Sequence, residues 1–278
     1  MNKAGKIACI TAGAAVGAAG LYVLSLRGRR DHASWETLKK YRYAHRGYHQ
    51  KPEIPENSLP AFRRAVERNW GAELDVHLLK DGTLMVSHDS DLKRCTGAEG
   101  ILEELTLAEA KELRLEGTQE QMPTFDEVLE IFEGKTPLII ELKTWNGNHR
   151  ALAQAVLERL DSYAGDFCVE SFDPYAIMDV RDLRPDVCRG QLAMNFFKGK
   201  NQPLPKALLG TSLALNALAK PDFVAYRFAD RKDLPVQLAT KLWGVQEVSW
   251  TVRSREDMEA LEKEGCLIIF ENFDPEEE

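Results

Sequence analysis

Two acids set two residues apart, Glu73 and Asp75, are the first sign of chemistry in this chain. In an extended strand such a pair leaves the backbone on one face. A third acid, Glu141, sits inside a second apolar run, Leu138–Leu142. Buried like charges are costly unless one of them protonates or a cation joins them. Three hard oxygen donors suit Mg²⁺ or Ca²⁺ far better than zinc. The competing reading is an outward, solvated acid pair. Leu74 and Val76 alternate with the acids as residues packed under helices would, but the pattern alone leaves both faces open.

His45 and His88 each stand beside a charged residue, in Ala44-His45-Arg46-Gly47 and Ser87-His88-Asp89. A phosphodiester needs one group to take a proton from the nucleophile and another to protonate the leaving alkoxide. Imidazoles titrate in the range that suits both tasks. Arg46 offers a planar fork for phosphate oxygens, and Gly47 permits a tight reversal. Neither imidazole is assigned as acid or base. Of the other histidines (32, 49, 77 and 149), His77 shares the parity of Asp75, which fits an upper-rim position and a solvent position equally.

These residues need a scaffold that carries strand ends to one rim. Apolar runs expected as strands are Tyr43–His45, Ala72–Val76, Leu138–Leu142, Phe167–Ser171, Gly190–Ala193, Phe223–Tyr226, Val248–Val252 and Leu267–Phe270. Most are continuous, as when helices cover a parallel sheet. Helical periodicity falls between them, over Leu59–Arg68, Phe125–Phe132, Arg150–Leu160, Pro174–Leu183, Leu204–Leu218, Asp233–Trp243 and Ser254–Glu264. Eight such units predict a TIM-type (β/α)8 barrel, whose sites lie at the C-terminal strand ends. Leu84–His88 stands outside the count. Only Lys80-Asp81-Gly82-Thr83 precedes it, too short for a parallel crossover, so it predicts a hairpin returning His88 to the rim of Glu73 and Asp75.

Composition narrows the partners. The net charge is -8 and 29% of residues are charged. With no basic run in its body the chain is a poor nucleic-acid binder, because phosphate neutralisation dominates that affinity. A phosphate-bearing substrate must be met by a metal or a few placed cations. Five cysteines form no CxxC pair and no metal or disulfide spacing, which predicts buried free thiols.

The N-terminus reads as a separate unit, residues 1–30, ahead of a barrel at 31–278. Ile7–Leu26 is uncharged and ends at Arg27, Arg29 and Arg30. Its length matches the roughly 20 residues of a membrane span, although Ala and Gly dominate it. A cleaved signal peptide competes with an uncleaved anchor. The excess of basic residues after the segment favours one transmembrane helix with the barrel in the cytoplasm.

Taken together the motifs resemble the glycerophosphodiester phosphodiesterase family. They run in order: His45-Arg46-Gly47, Pro55-Glu56-Asn57-Ser58, Glu73-Leu74-Asp75-Val76, Lys80-Asp81-Gly82 and Val86-Ser87-His88-Asp89. Ile140-Glu141-Leu142-Lys143, Ser171-Phe172 and Trp250-Thr251-Val252 follow, so the resemblance covers about Tyr43 to Val252. It implies metal-dependent hydrolysis of glycerophosphodiesters to glycerol 3-phosphate and an alcohol, with His45 and His88 as the acid–base pair. It further implies a divalent cation on Glu73, Asp75 and Glu141, and phosphate oxygens on Arg46 and Lys143. Glu56 would support the metal site, and Phe172 and Trp250 would wall the pocket. Lysophospholipase D action on membrane lysolipids and a silent phosphate- or polyol-binding barrel are the alternatives. Two departures stand out. The last strand ends in Phe270-Glu271-Asn272 where the family has Thr-Asp, and the eighth helix is missing or replaced by Trp35–Lys40, which puts barrel closure in question.

Overall fold

The computed structural model describes residues 3–199 and 203–277, with backbone alone for residues 3–13 and Lys206. Nine strands form one sheet: β1 (Tyr43–Ala44), β2 (Gly71–Leu78), β3 (Leu84–Val86), β4 (Leu138–Leu142), β5 (Phe167–Ser171), β6 (Arg189–Ala193), β7 (Phe223–Arg227), β8 (Gln246–Val252) and β9 (Leu267–Phe270). β1 pairs in parallel with both β2 and β9, so eight parallel strands close into a TIM-type barrel. Closure does not depend on an eighth outer helix.

β3 is the exception in direction. It runs antiparallel to the end of β2, with Val76 opposite Val86, as the Asp81-Gly82 turn predicts. β2 therefore gives its first residues to β1 and its last three to β3.

Alternation sorts the side chains into two layers. Leu74, Val76, Leu138, Ile140 and Val169 face outward under the helices Phe125–Phe132 and His149–Leu160. Tyr43, Ile139, Cys168, Phe223, Val248 and Ile269 face inward and fill the barrel's lower half. Capping fixes the helix starts: Thr124 and Glu127 form a reciprocal capping box, and Asp173 accepts from Tyr175 N ahead of Pro174. Cys95, Cys168, Cys188 and Cys266 are buried free thiols, as expected, and Cys9 lies outside the described side chains.

Three expectations change. The helix Trp35–Leu38 does not take the place of an outer helix: Trp35 and Leu38 are buried with the inward cluster, Trp35 meeting Phe223 edge-on at 5.4 Å, so this turn plugs the barrel floor. The predicted helix Leu204–Leu218 is broken at Leu213, which adopts a left-handed backbone (φ +57°). Asp233–Trp243 begins as a helical turn at Leu234–Gln237 and widens into a π-helical turn at Leu238–Leu242.

The N-terminal segment forms a helix over Lys3–Ser25, and among the described residues no helix is long and apolar enough to cross a membrane. The C-terminal end of Lys3–Ser25 is engaged with the barrel. Leu26 is fully buried, Tyr22 Oη donates to Ser212 O (3.0 Å), and Trp243 Nε1 donates to Val23 O (2.7 Å). The basic residues behind it have local partners too: Arg29 pairs with buried Asp222 at 2.6 Å, and Arg27 lies over the Trp243 ring.

Candidate active site

The carboxylate cluster is inward and at the rim. In register, Asp75 of β2 lies beside Glu141 of β4. One carboxylate oxygen from each of Glu73, Asp75 and Glu141 can be chosen so that all three lie within 4.8 Å of one another, and all three residues are buried. Asn57 Nδ2 donates to Asp75 Oδ2 (2.8 Å), and Arg46 N donates to Glu73 Oε2 (3.0 Å), which fixes both groups. Lys143 Nζ reaches Glu141 Oε1 (3.0 Å) and Asp75 Oδ1 (3.3 Å).

Electrostatics inside this cluster divide the acids. Burial, with the charges of Asp75 and Glu141, pushes the Glu73 carboxyl well above its ordinary range. Burial likewise drives Glu141 up to about 7, Lys143 opposing and Asp75 reinforcing. For Asp75 burial also acts upward, but Lys143, His88 and Arg46 outweigh it and hold the carboxyl low. Glu170 of β5, adjacent to Glu141 in register, is a fourth buried acid and is pushed well up by burial and by Glu141 and Asp75. A site that must protonate two or three acids to exist without a cation fits a hard divalent ion held by oxygen, because the ion relieves the same repulsion.

His45 follows β1. Its Nε2 lies 3.9 Å from Glu73 Oε2, and its Nδ1 lies 3.4 Å from Glu271 Oε1. Glu271 continues β9 and also meets His49 Nε2 (3.3 Å) and Arg253 (2.7 Å). Burial pulls the His45 ring below its ordinary pKa, Glu271 partly opposing. His88 follows β3 with its Nδ1 2.6 Å from Asp89 Oδ1, and it is less buried than His45. Ser87 N donates to Asp75 O (3.0 Å), so the hairpin brings His88 to the end of β2 at the cluster, as expected.

Arg46 is held between Glu56 (2.8 Å) and Asp75 (3.7 Å). Glu56 is the hub of a cationic ring: Arg46, Lys51 and Arg94 surround it, and though burial acts upward they bring its carboxyl down to about 2. Glu56 thus anchors Arg46 and lies outside the carboxylate trio. Phe172 and Trp250 meet edge-on at 5.6 Å. Phe172 lines a cavity of about 600 Å³ that opens beside Glu141 and Lys143, and Trp250 backs it. The far wall is apolar, from Phe196, Leu209 and Leu213, and His45 and His88 stand outside this cavity.

Sequence reasoning missed several residues around this site. Asn57 reads only as part of the Pro55-Glu56-Asn57-Ser58 motif, while it orients Asp75. Glu271 reads as a departure from a motif, while it backs His45. His77 does follow Glu73 and Asp75 onto the inward face, buried against Glu103. Strand parity was the available signal for His77 and Glu170. Nothing local marks Glu103 or Glu271.

An eight-stranded parallel barrel with acids, imidazoles and cations gathered at its C-terminal rim is the architecture of a barrel hydrolase or lyase acting on a charged substrate. Residues 45–273 match the Glycerophosphoryl diester phosphodiesterase family. The glycerophosphodiester phosphodiesterase of Caldanaerobacter subterraneus subsp. tengcongensis is 31% identical over 252 residues, covering 86% of this chain and 96% of its own. The chain therefore belongs to the glycerophosphoryl diester phosphodiesterase family. Lysophospholipase D from Rattus norvegicus is 34% identical over 121 residues, 39% of this chain and 37% of its own. The fold is shared with an Oleispira antarctica phosphodiesterase solved with the product sn-glycerol-3-phosphate: TM-score 0.68, 23% identity, 83% of this chain and 92% of that one.

Proposed function

We propose that this chain hydrolyses glycerophosphodiesters, consuming water to yield glycerol 3-phosphate and an alcohol. The observation that carries the reading is the trio Glu73, Asp75 and Glu141, with His45 against one of its members and His88 beside another. Those three carboxylates would hold Mg²⁺ or Ca²⁺, which when bound supplies charge stabilisation at the phosphoryl oxygens. Arg46 and Lys143, both fixed at the same rim, bind non-bridging oxygens. His45, kept neutral by burial, suits removal of the nucleophile's proton; His88, nearer the mouth, then protonates the departing alkoxide.

A second substrate class has its own support. The apolar wall of Phe196, Leu209 and Leu213 is matched to an acyl chain, and Leu204 and Leu208 on the same helix are exposed. A lysophospholipid could lie there with its phosphate at Lys143. Release of alcohol from glycerophosphocholine, glycerophosphoethanolamine and lysophosphatidylcholine by the full chain, with Mg²⁺, Ca²⁺ or chelator, tests both. Turnover in excess chelator overturns the cation's role, and no turnover of any diester overturns the reading.

A further inference from the structure

Arg46 follows β1 and His88 follows β3, and one side chain outside the rim ties the two together. Arg94 sits in the short helix Lys93–Thr96, in the segment between β3 and β4. Its guanidinium bridges two carboxylates instead of chelating one. Nε donates to Asp89 Oδ2, and Nη2 donates to Glu56 Oε1 at 2.7 Å. The other oxygen of Asp89 lies 2.6 Å from His88 Nδ1. The same oxygen of Glu56 accepts from Arg46 Nη1 at 2.8 Å. An unbroken chain results: His88, Asp89, Arg94, Glu56, Arg46.

The chain has a mechanical consequence. Asp89 is the immediate neighbour of His88 in sequence, and a carboxylate gripped by one oxygen alone turns freely about its own axis. With Oδ2 taken by Arg94, Asp89 holds Nδ1 in one place, and the opposite edge of the ring, Nε2, is fixed with it. Glu56 supplies the fixed end, buried and surrounded by Arg46, Lys51 and Arg94. The competing reading is that Arg94 only fastens the segment after β3 to the barrel. That segment has a core of its own, however, with Leu79, Met85, Leu92, Leu102 and Met122 buried together. Arg94 itself lies at the surface, where ion pairs contribute little to stability.

We propose that Arg94 is a positioning residue: through Asp89 it holds the His88 imidazole in a fixed relation to Arg46, so that the departing alkoxide meets Nε2. The inference rests on the diesterase reading, which gives His88 and Arg46 their tasks. Lysine is no substitute, because one ammonium on a flexible stem lacks the rigid fork that spans both carboxylates.

Steady-state kinetics on the full chain in Mg²⁺ compares glycerophosphocholine with the p-nitrophenyl diester of glycerol 3-phosphate, whose leaving group needs no proton. Arg94→Gln should lower kcat on glycerophosphocholine about tenfold, the lower end of what losing a histidine's outer partner costs. On the p-nitrophenyl diester the loss should stay within about threefold, since help from a general acid is not required there. In a His88→Ala chain, adding Arg94→Gln should change kcat on glycerophosphocholine by no more than about twofold, because a group that acts through His88 has nothing left to position. If the glutamine variant does not fold, Arg94→Lys keeps the charge and should show the same split between the two diesters. Equal losses on both diesters, or losses that multiply in the double variant, overturn the inference and leave Arg94 structural. A wild type that cleaves both diesters, with Arg94→Gln indistinguishable from it, overturns the inference alone. A wild type that cleaves neither diester overturns this inference and the diesterase reading together.

Discussion

Replacing Glu141 with Gln measures what the carboxylate cluster costs the fold when no cation joins it. In the metal-free chain burial raises the Glu141 carboxyl from 4.5 to about 7. The folded chain therefore holds this proton more tightly than the unfolded chain does. Its contribution to stability is complete below pH 4.5 and is lost as pH rises through 7. The gap corresponds to about 3 kcal/mol at roughly 1.36 kcal/mol per pH unit. Glu73 and Glu170, also raised, act in the same direction. Asp75 is held low and has the opposite sign, but its loss falls at acid pH, below this window. His45 is lowered, so its share of stability grows as pH rises towards its ordinary value, against the trend. Glu141→Gln also relieves the part of the Glu73 and Glu170 shifts that the charge of Glu141 causes, so the difference between wild type and variant is at least the Glu141 share. Urea unfolding followed by tryptophan fluorescence in EDTA, at pH 5 and pH 8, is the assay. Wild type should lose about 3 kcal/mol more than the variant between the two, or roughly 6–12 °C in Tm. Saturating Mg²⁺ or Ca²⁺ at pH 8 should restore most of it in wild type and little in the variant. Equal pH dependence in the two chains would refute the argument that buried Glu141 carries the strain.

The remaining predictions concern catalysis and the N-terminal helix. His45→Ala and His88→Ala should each lower kcat on glycerophosphocholine by roughly 10²–10⁴-fold, with the double variant little worse than either; wild-type kcat in both would make the rings structural. His88→Ala should lose far less on a p-nitrophenyl diester, whose leaving group needs no proton. Glu271→Gln should cost at least about tenfold in kcat with KM unchanged, because the amide can no longer hold His45, His49 and Arg253 together; an unchanged kcat removes Glu271 from the mechanism. A chain starting at residue 31 should unfold at lower urea than the full chain, by about 2 kcal/mol for Leu26 alone, with further loss from unpaired Asp222; equal midpoints would show that the docked helix end contributes nothing.

The barrel was legible because most of its strands are continuous apolar runs, and six of the nine strands have both boundaries within a residue of the runs read from sequence: β1, β4, β5, β6, β7 and β9. The acid trio was half legible. Spacing put Glu73 and Asp75 on one face, but only the register of β2 against β4 brings Glu141 to Asp75. Asn57, Glu103 and Glu271 were not legible, since each acts on a residue 18 or more positions away through a turn or a strand end. In the N-terminal segment the helix was legible from its uncharged length, while the pairing of Arg29 with Asp222 was not, because the two lie 193 positions apart.

The plug formed by Trp35 and Leu38 seals the floor of the barrel with buried side chains and leaves the carboxylates facing the mouth. Below the carboxylates the interior is packed with the buried side chains of Tyr43, Ile139, Phe223 and Val248, which among the described residues fill the floor. Whatever reaches the trio arrives by the mouth and leaves by it, past Lys143 and His77. Traffic through one doorway imposes an order: a ligand lodged at Lys143 stands between the acids and the bulk, and slows exchange of anything held beneath it. A chelator should therefore strip the site more slowly from a chain saturated with glycerol 3-phosphate than from an empty one.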